Sequence, residues 1–157
     1  GIKAQTKWPN DVLVGDAKIA GILCELRPGS AVIGIGLNVS MSAAEAARID
    51  QPATSILIET GTVQAPREVL PILLQVLSRR LQAWQEGGFA GLRSDWCRHC
   101  LALGQDITID DGDTRQTGVL AGFGDAGQLL LQPHDLAQDG SSTPVEIWSG
   151  HLRLTNR

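Results

Sequence analysis

Positive charge is scarce in this chain. Thirteen Lys and Arg stand against 17 Asp and Glu, a formal net charge of −4. A surface of that sign argues against a general binder of nucleic acid or of membrane surfaces. Cysteine is also scarce, at three residues. An odd, small number does not build a secreted disulfide framework, so a reducing, cytoplasmic setting is expected. Long apolar runs are missing: nothing approaches the roughly 20 residues needed to cross a bilayer, and no basic-then-apolar leader is present. There is no Walker phosphate loop and no Ser-His-Asp arrangement. The lone Cys-x-x-Cys, Cys97-Arg98-His99-Cys100, falls on an expected helix without a second ligand pair, and so reads as incidental thiols rather than a zinc site. Cys24 lies in an apolar strand and reads as core. His134 and His151 have no partner that spacing reveals.

What is present starts with 157 residues, 43% of them hydrophobic, enough for one domain of ordinary size or a small domain with an appendage. Near the start, Lys7-Trp8-Pro9-Asn10-Asp11 packs a cation, a large aromatic, a φ-locked proline, an amide and a carboxylate into one short stretch. Pro9 restricts Trp8 to extended geometry. Val12-Leu13-Val14, Gly15-Asp16 and the run from Lys18 to Leu26 then read as a hairpin with a tight turn. Ala31 to Val39 reads as a third, largely buried strand. The small, Ala-rich stretch from Ser40 to Thr54 is open between a short helix and a mobile loop, and Ser55 to Glu59 suggests a brief apolar turn or helix. Leu70, Leu73, Leu74, Leu77, Leu81 and Trp84 recur at three- and four-residue spacing and predict an amphipathic helix. Pro71 places its regular part, or a bend, near Leu70, and Gly87-Gly88 ends it. A second helix is expected over Phe89 to Leu101, with Leu92 and Trp96 inward. After Leu103 the composition shifts to short β-like runs at Gln105–Ile109, Thr114–Leu120, Gln128–Gln132, Pro144–Trp148 and His151–Leu154. Turn-rich segments, Gln138 to Ser142 among them, separate the runs, and the pattern predicts a small barrel.

The hairpin carries a geometric consequence. A two-residue loop at Gly15-Asp16 pairs Val14 with Ala17 and Leu13 with Lys18. Alternation then puts Asp11, Leu13, Lys18 and Ala20 on one face, with Asp11 and Lys18 diagonal neighbours. Taken on spacing alone, the pair reads first as an exposed cross-strand ion pair of little energetic weight.

Three motifs together carry a resemblance: Lys7-Trp8-Pro9-Asn10-Asp11, then Lys18-Ile19-Ala20-Gly21-Ile22-Leu23, then Gly34-Ile35-Gly36-Leu37-Asn38-Val39. In order, spacing and residue type the chain resembles biotin protein ligases. Ala53-Thr54-Ser55-Ile56, the helix pair and the β-rich tail are also similar, so the resemblance covers essentially the whole chain. It implies an α+β fold: part of a mixed β-sheet catalytic domain packed by helices over residues 1–102, then a small SH3-like β-barrel over 103–157. It implies an ATP-dependent ligase that makes biotinyl-AMP from biotin and ATP with Mg²⁺, then passes biotin to a lysine of a biotin carboxyl carrier protein.

The resemblance also implies residue roles. Lys18 matches the lysine that reaches the biotin carboxylate and the adenylate phosphate, where developing negative charge needs a fixed cation. Asp11 matches the aspartate near that phosphate; orienting Lys18, holding Mg²⁺ and taking a proton from the incoming amine all remain open to it. Lys7 and Asn10 shape the nucleotide side, and Asn38 matches the asparagine that hydrogen-bonds adenine. Gly21, on the biotin side, and Gly36, on the nucleotide side, line the site without side chains. Trp8 is packing support. The Ser42–Thr54 stretch corresponds to a loop that orders over the adenylate, although a plain surface helix suits its composition equally. The family's Gly/Arg-rich ligand loop lies upstream of Lys7; the sequence starts at Gly1, past that loop, and the expectation is of a fragment, with no nucleic-acid or membrane role and with a homodimer in view. The alternatives are a non-catalytic piece that docks ligand or carrier, and a lipoate ligase relative.

Overall fold

The computed structural model describes residues 1–134 and 143–155. Two compact units emerge from the contacts. One comprises Gly1–Thr6 and Asn10–Arg79; the other comprises Lys7–Pro9 and Arg80–Arg157. Among the described residues, no helix is long and apolar enough to cross a membrane.

The first unit is built on a four-stranded sheet in the order β1 (Ala4–Lys7), β2 (Asp11–Val14), β3 (Ala17–Arg27) and β4 (Ser30–Leu37). The β2–β3 and β3–β4 ladders are antiparallel. Val14 pairs with Ala17 and Leu13 with Lys18, as the two-residue turn requires. Gly15 turns the chain at φ 58°, a left-handed conformation that costs a residue without Cβ little. Beyond Lys18 the strict alternation breaks. A bulge leaves Ile19 without a partner on β2, so Val12 pairs with Ala20 and Asp11 with Gly21. Gly21, not Ala20, therefore stands opposite Asp11.

The strand expected to be buried is exposed. β4 is the last strand in its sheet, and from Ser30 to Gly34 every residue is exposed. Cys24, expected in the core, is exposed as well. An apolar run specifies a strand, but which of its faces is covered depends on elements brought up from elsewhere in the chain.

After β4 come α1 (Ala43–Ala46) and α2 (Ile56–Thr60). The Ala-rich stretch is thus partly helical. Its start is fixed by a capping box in which the Ser42 hydroxyl accepts from the Glu45 amide while the Glu45 carboxylate accepts from the Ser42 amide at 2.8 Å. Helix α3 runs over Pro66–Gly87, starting before Leu70 and carrying Pro71 inside it. Pro66 opens the helix with its φ already set, and Pro71 is close enough to that end that only the first turns lose a backbone bond. Its amide-rich start is closed by Glu68, whose carboxylate accepts from the Ala65 amide at 3.0 Å. Gly88, at φ 58°, follows the last turn.

In the second unit, a 3₁₀ turn (Phe89–Gly91) and α4 (Arg93–His99) replace the single second helix. Trp96 packs inward, edge-to-face against Phe89 and Phe123 at centroid distances of 6.3 and 5.9 Å. Five antiparallel strands follow: β5 (Asp106–Asp110), β6 (Arg115–Phe123), β7 (Leu129–Pro133), β8 (Val145–Ile147) and β9 (His151–Leu154). Their order is β8-β7-β6-β5-β9. The fold is α+β, as expected. The ladder remains open between β8 and β9 among the described residues, so the SH3-like set of strands is present without barrel closure. Alternate residues of β5, β6 and β7 face one core: Ile107, Ile109, Leu120, Leu129 and Leu131 are each at most 2% exposed. Trp8 joins this core at 5% exposure, confirming its packing role. The turn expected over Gln138–Ser142 lies outside the described residues.

Candidate functional site

The site grows out of the β2–β3 hairpin. Lys18 is the second residue of β3, and its backbone is held from both sides. Its amide donates to Pro52 O at 2.9 Å, its carbonyl accepts from the Thr54 amide at 3.0 Å, and the Asn38 side-chain amide reaches the same carbonyl at 3.4 Å. These bonds form a short parallel bridge with Ala53. A long side chain on so fixed a backbone delivers its ammonium to a narrow region, and here that region holds Asp11. Lys18 Nζ lies 2.6 Å from Asp11 Oδ1, with the two side chains 30% and 24% exposed. The pair is neither a free surface contact nor a buried one.

Glycine makes room around it. A Cβ on Gly21 would fall 3.0 Å from Lys18 Cε and 3.6 Å from Asp11 Oδ1. Gly21 pairs across the ladder with Gly36, where a Cβ would sit 3.9 Å from Gly21 O. Two glycines facing each other leave a patch of bare backbone beside the ammonium. Over this patch lie two adjoining depressions. One, of about 420 Å³, is lined by Lys18, Gly21, Gly36 and Asn38 together with Ile49, Gln51 and Ala53. The other, of about 470 Å³, shares Lys18, Gly21 and Gly36 and adds Asn10. Each volume falls in the range of small-molecule sites.

Of the residues singled out by sequence, Lys18, Asp11, Gly21, Gly36, Asn10 and Asn38 come together here. Lys7 ends β1, groups with the second unit and lines neither depression. Asn38 is partly committed: its Nδ2 donates to Thr54 O at 3.0 Å, leaving Oδ1 as the group turned to accept. Cys97 and Cys100 sit at the end of α4, Cys100 buried, and its burial raises the thiol pKa. Among the described residues no group of three or more His, Cys, Asp or Glu is placed to hold a metal ion.

Sequence reasoning took the Ser42–Thr54 stretch as a ligand loop and Ala53-Thr54-Ser55-Ile56 as part of the resemblance, but it did not pick out Ile49, Gln51 and Ala53 as wall residues or foresee the burial of Thr54 and Ser55. For the last two a signal existed. A small hydroxyl residue directly before the apolar run Ile56-Leu57-Ile58 is a helix N-cap signature, and the Ser55 hydroxyl does accept from the Ile58 amide at 3.1 Å.

Chemically, the arrangement offers a positioned ammonium for an anionic oxygen, a carboxylate that can accept a proton, and a side-chain-free floor for close approach. The comparisons point the same way. Residues 1–42 match the Biotin/lipoate A/B protein ligase family. Over 133 residues the chain is 34% identical to a biotin–[acetyl-CoA-carboxylase] ligase of Paracoccus denitrificans, covering 80% of this chain and 55% of that protein. It is 31% identical over 154 residues to the bifunctional ligase/repressor BirA of Escherichia coli, covering 94% of this chain and 45% of that protein. The chain spans about half the length of the curated relatives it matches. Among solved structures it is similar to biotin protein ligase of Aquifex aeolicus in its apo form, with a TM-score of 0.80 at 30% identity over 97% of this chain and 66% of that one. The same enzyme in complex with biotin and ATP matches with a TM-score of 0.76, also at 30% identity, over 97% of this chain and 62% of that one. With the hairpin pair, the glycine floor and these likenesses in agreement, the chain is similar in sequence and fold to biotin protein ligases over nearly its whole length.

Proposed function

We propose that the protein carrying this sequence activates biotin with ATP and transfers it to a lysine of a biotin carboxyl carrier protein. The observation that carries the reading is the Lys18–Asp11 pair at 2.6 Å beside the Gly21–Gly36 floor. In the first step a carboxylate oxygen of biotin attacks the α-phosphorus of ATP. The new P–O bond forms as the bond to pyrophosphate breaks, leaving biotinyl-AMP. Lys18 holds negative charge on the biotin carboxylate and on the phosphoryl oxygens as it develops. In the second step the carrier lysine amine attacks the acyl carbon, AMP leaves with the bonding electrons, and the amine loses a proton. Asp11 is the carboxylate positioned to orient Lys18 or to receive that proton. Gly21 lies on the biotin side of Lys18; Gly36, Asn10 and Asn38 lie on the nucleotide side, with Lys7 the remaining nucleotide candidate.

Mg²⁺ fits this site as an ion carried largely by the nucleotide. Asp11 would supply one carboxylate, already shared with Lys18, and Mg²⁺ commonly takes one or two carboxylates and fills its shell with phosphate oxygens and water. Bound there, it would neutralise charge on the phosphates. By function, residues 1–102 belong to the catalytic part and 103–157 to the SH3-like part. That division differs from compactness, because Cys100 and Ala102 sit in the core of the second sheet. The setting is the cytoplasm, where carrier and ATP meet; pairing of two copies belongs to the same reading.

The test is pyrophosphate release that requires both biotin and ATP, followed by a mass gain of one biotinyl group on an apo carrier protein. Release with lipoate in place of biotin, or none with either, would sink the proposal. A second expectation concerns Gly21. Its hypothetical Cβ is tight only against the flexible end of Lys18, with Asp11 Oδ1 at ordinary contact distance, so Gly21→Ala should leave the thermal midpoint near the parent's while displacing the ammonium. Misplacement on that scale is expected to lower kcat/KM for adenylation about 10- to 100-fold.

A further inference from the structure

Only two of the buried residues described are polar: Thr54, at 3% exposure, and Ser55, at 0%. A fully enclosed hydroxyl persists only when its bonds are made, and Ser55 makes two. Its Oγ donates to Met41 O at 2.6 Å and accepts from the Ile58 amide at 3.1 Å. Met41 immediately precedes the Ser42–Thr54 stretch and Ser55 immediately follows it, so the first bond joins the two ends of that loop. Two backbone bonds run alongside: Ile56 N to Asn38 O and Leu57 N to Val39 O, each 3.0 Å. From the closed base the loop carries Ile49, Gln51 and Ala53 into the wall of the depression beside Lys18.

We propose that Ser55 is a positioning residue that clasps the base of the 42–54 loop and thereby holds the loop's wall residues against the ligand. The proposal deepens the ligase reading and rests on it for its kinetic consequence. Ser55 touches no reacting atom. It acts by keeping the closed loop populated, and a ligand that needs a closed loop binds more weakly in proportion to the population lost. One buried hydroxyl with two bonds is on the scale of a roughly ten-fold change in that population.

The test compares Ser55→Ala with Ser55→Thr, which keeps a hydroxyl and the helix cap. Amide hydrogen exchange is read across the protein without ligand, and KM for ATP and kcat are read from biotin-dependent pyrophosphate release. In Ser55→Ala, exchange is expected to rise over residues 42–53 and not over β5–β9, with KM for ATP rising about ten-fold and kcat changing far less. Ser55→Thr restores both. Exchange that is unchanged in the loop, or raised throughout β2–β4 as well, overturns the clasp. If the parent protein releases no pyrophosphate, the ligase reading fails, while the exchange pattern still decides whether Ser55 closes the loop.

Discussion

Lys18→Ala is expected to slow biotin-dependent pyrophosphate release about 100- to 1,000-fold, the scale on which losing one fixed donor to developing negative charge acts. The argument does not rest on charge alone. An ammonium on a mobile surface chain would have to be brought into place during the reaction. Lys18 starts from a backbone held by Pro52, Thr54 and Asn38, and its Nζ is already located by Asp11. In the proposed reaction the cation would therefore meet the phosphoryl oxygens with little reorganisation, and removing it would remove that advantage. Lys18→Arg is an informative control. It keeps the charge but spreads it over a planar fork in place of a compact ammonium, so it should recover little of the lost rate. Pre-steady-state measurement of adenylate formation separates this from slow product release; a variant within a few-fold of the parent would remove Lys18 from the chemistry.

Trp8→Ala is expected to destabilise the protein by about 3–5 kcal/mol, the usual cost of truncating a large buried aromatic. Trp8 is 5% exposed and belongs to the core formed with Ile107, Leu120, Leu129 and Leu131. Deleting its indole leaves a cavity whose walls are strands tied into ladders and unable to collapse far. Trp8→Phe, which refills much of the space, should cost clearly less. Denaturant titration followed by far-UV circular dichroism provides the measurement. Equal midpoints for Trp8→Ala and the parent would mean that this core does not depend on the indole. Trp8 thus differs from its neighbour in the pentapeptide: Asp11 pairs with Lys18, and Trp8 serves packing.

The sequence made the hairpin legible because turn length and side-chain parity are short-range rules. Gly15-Asp16 sets the Val14–Ala17 and Leu13–Lys18 pairs, and these suffice to bring Lys18 towards Asp11. The bulge at Ile19 was not legible, since no local residue type demands it, and it exchanges Ala20 for Gly21 opposite Asp11. The strands of the second sheet were placed within a few residues because turn residues separate them. The exposure of β4 and Cys24 was missed because an apolar strand carries no mark of whether its face is covered. Pro71 misled for a different reason: proline disfavours helix interiors, yet here it costs the helix one backbone bond, to the Arg67 carbonyl, and the helix still starts at Pro66. The Ser42–Thr54 loop was placed over the site by resemblance, but which of its residues form the wall was not legible, because Ile49, Gln51 and Ala53 reach the depression through a fold-back closed by Ser55.

The bulge also has a bearing on how such a protein can change over time. Many exchanges of one apolar residue for another at Val12 or Ile19 would leave the ladder intact. Losing or gaining a single residue between Asp11 and Gly21 would instead turn an ammonium, a carboxylate or a bare glycine to the wrong side of the sheet. In this hairpin, then, lineages are free to alter spelling but not length, and a count of residues is a sharper test of a surviving site than a tally of identities.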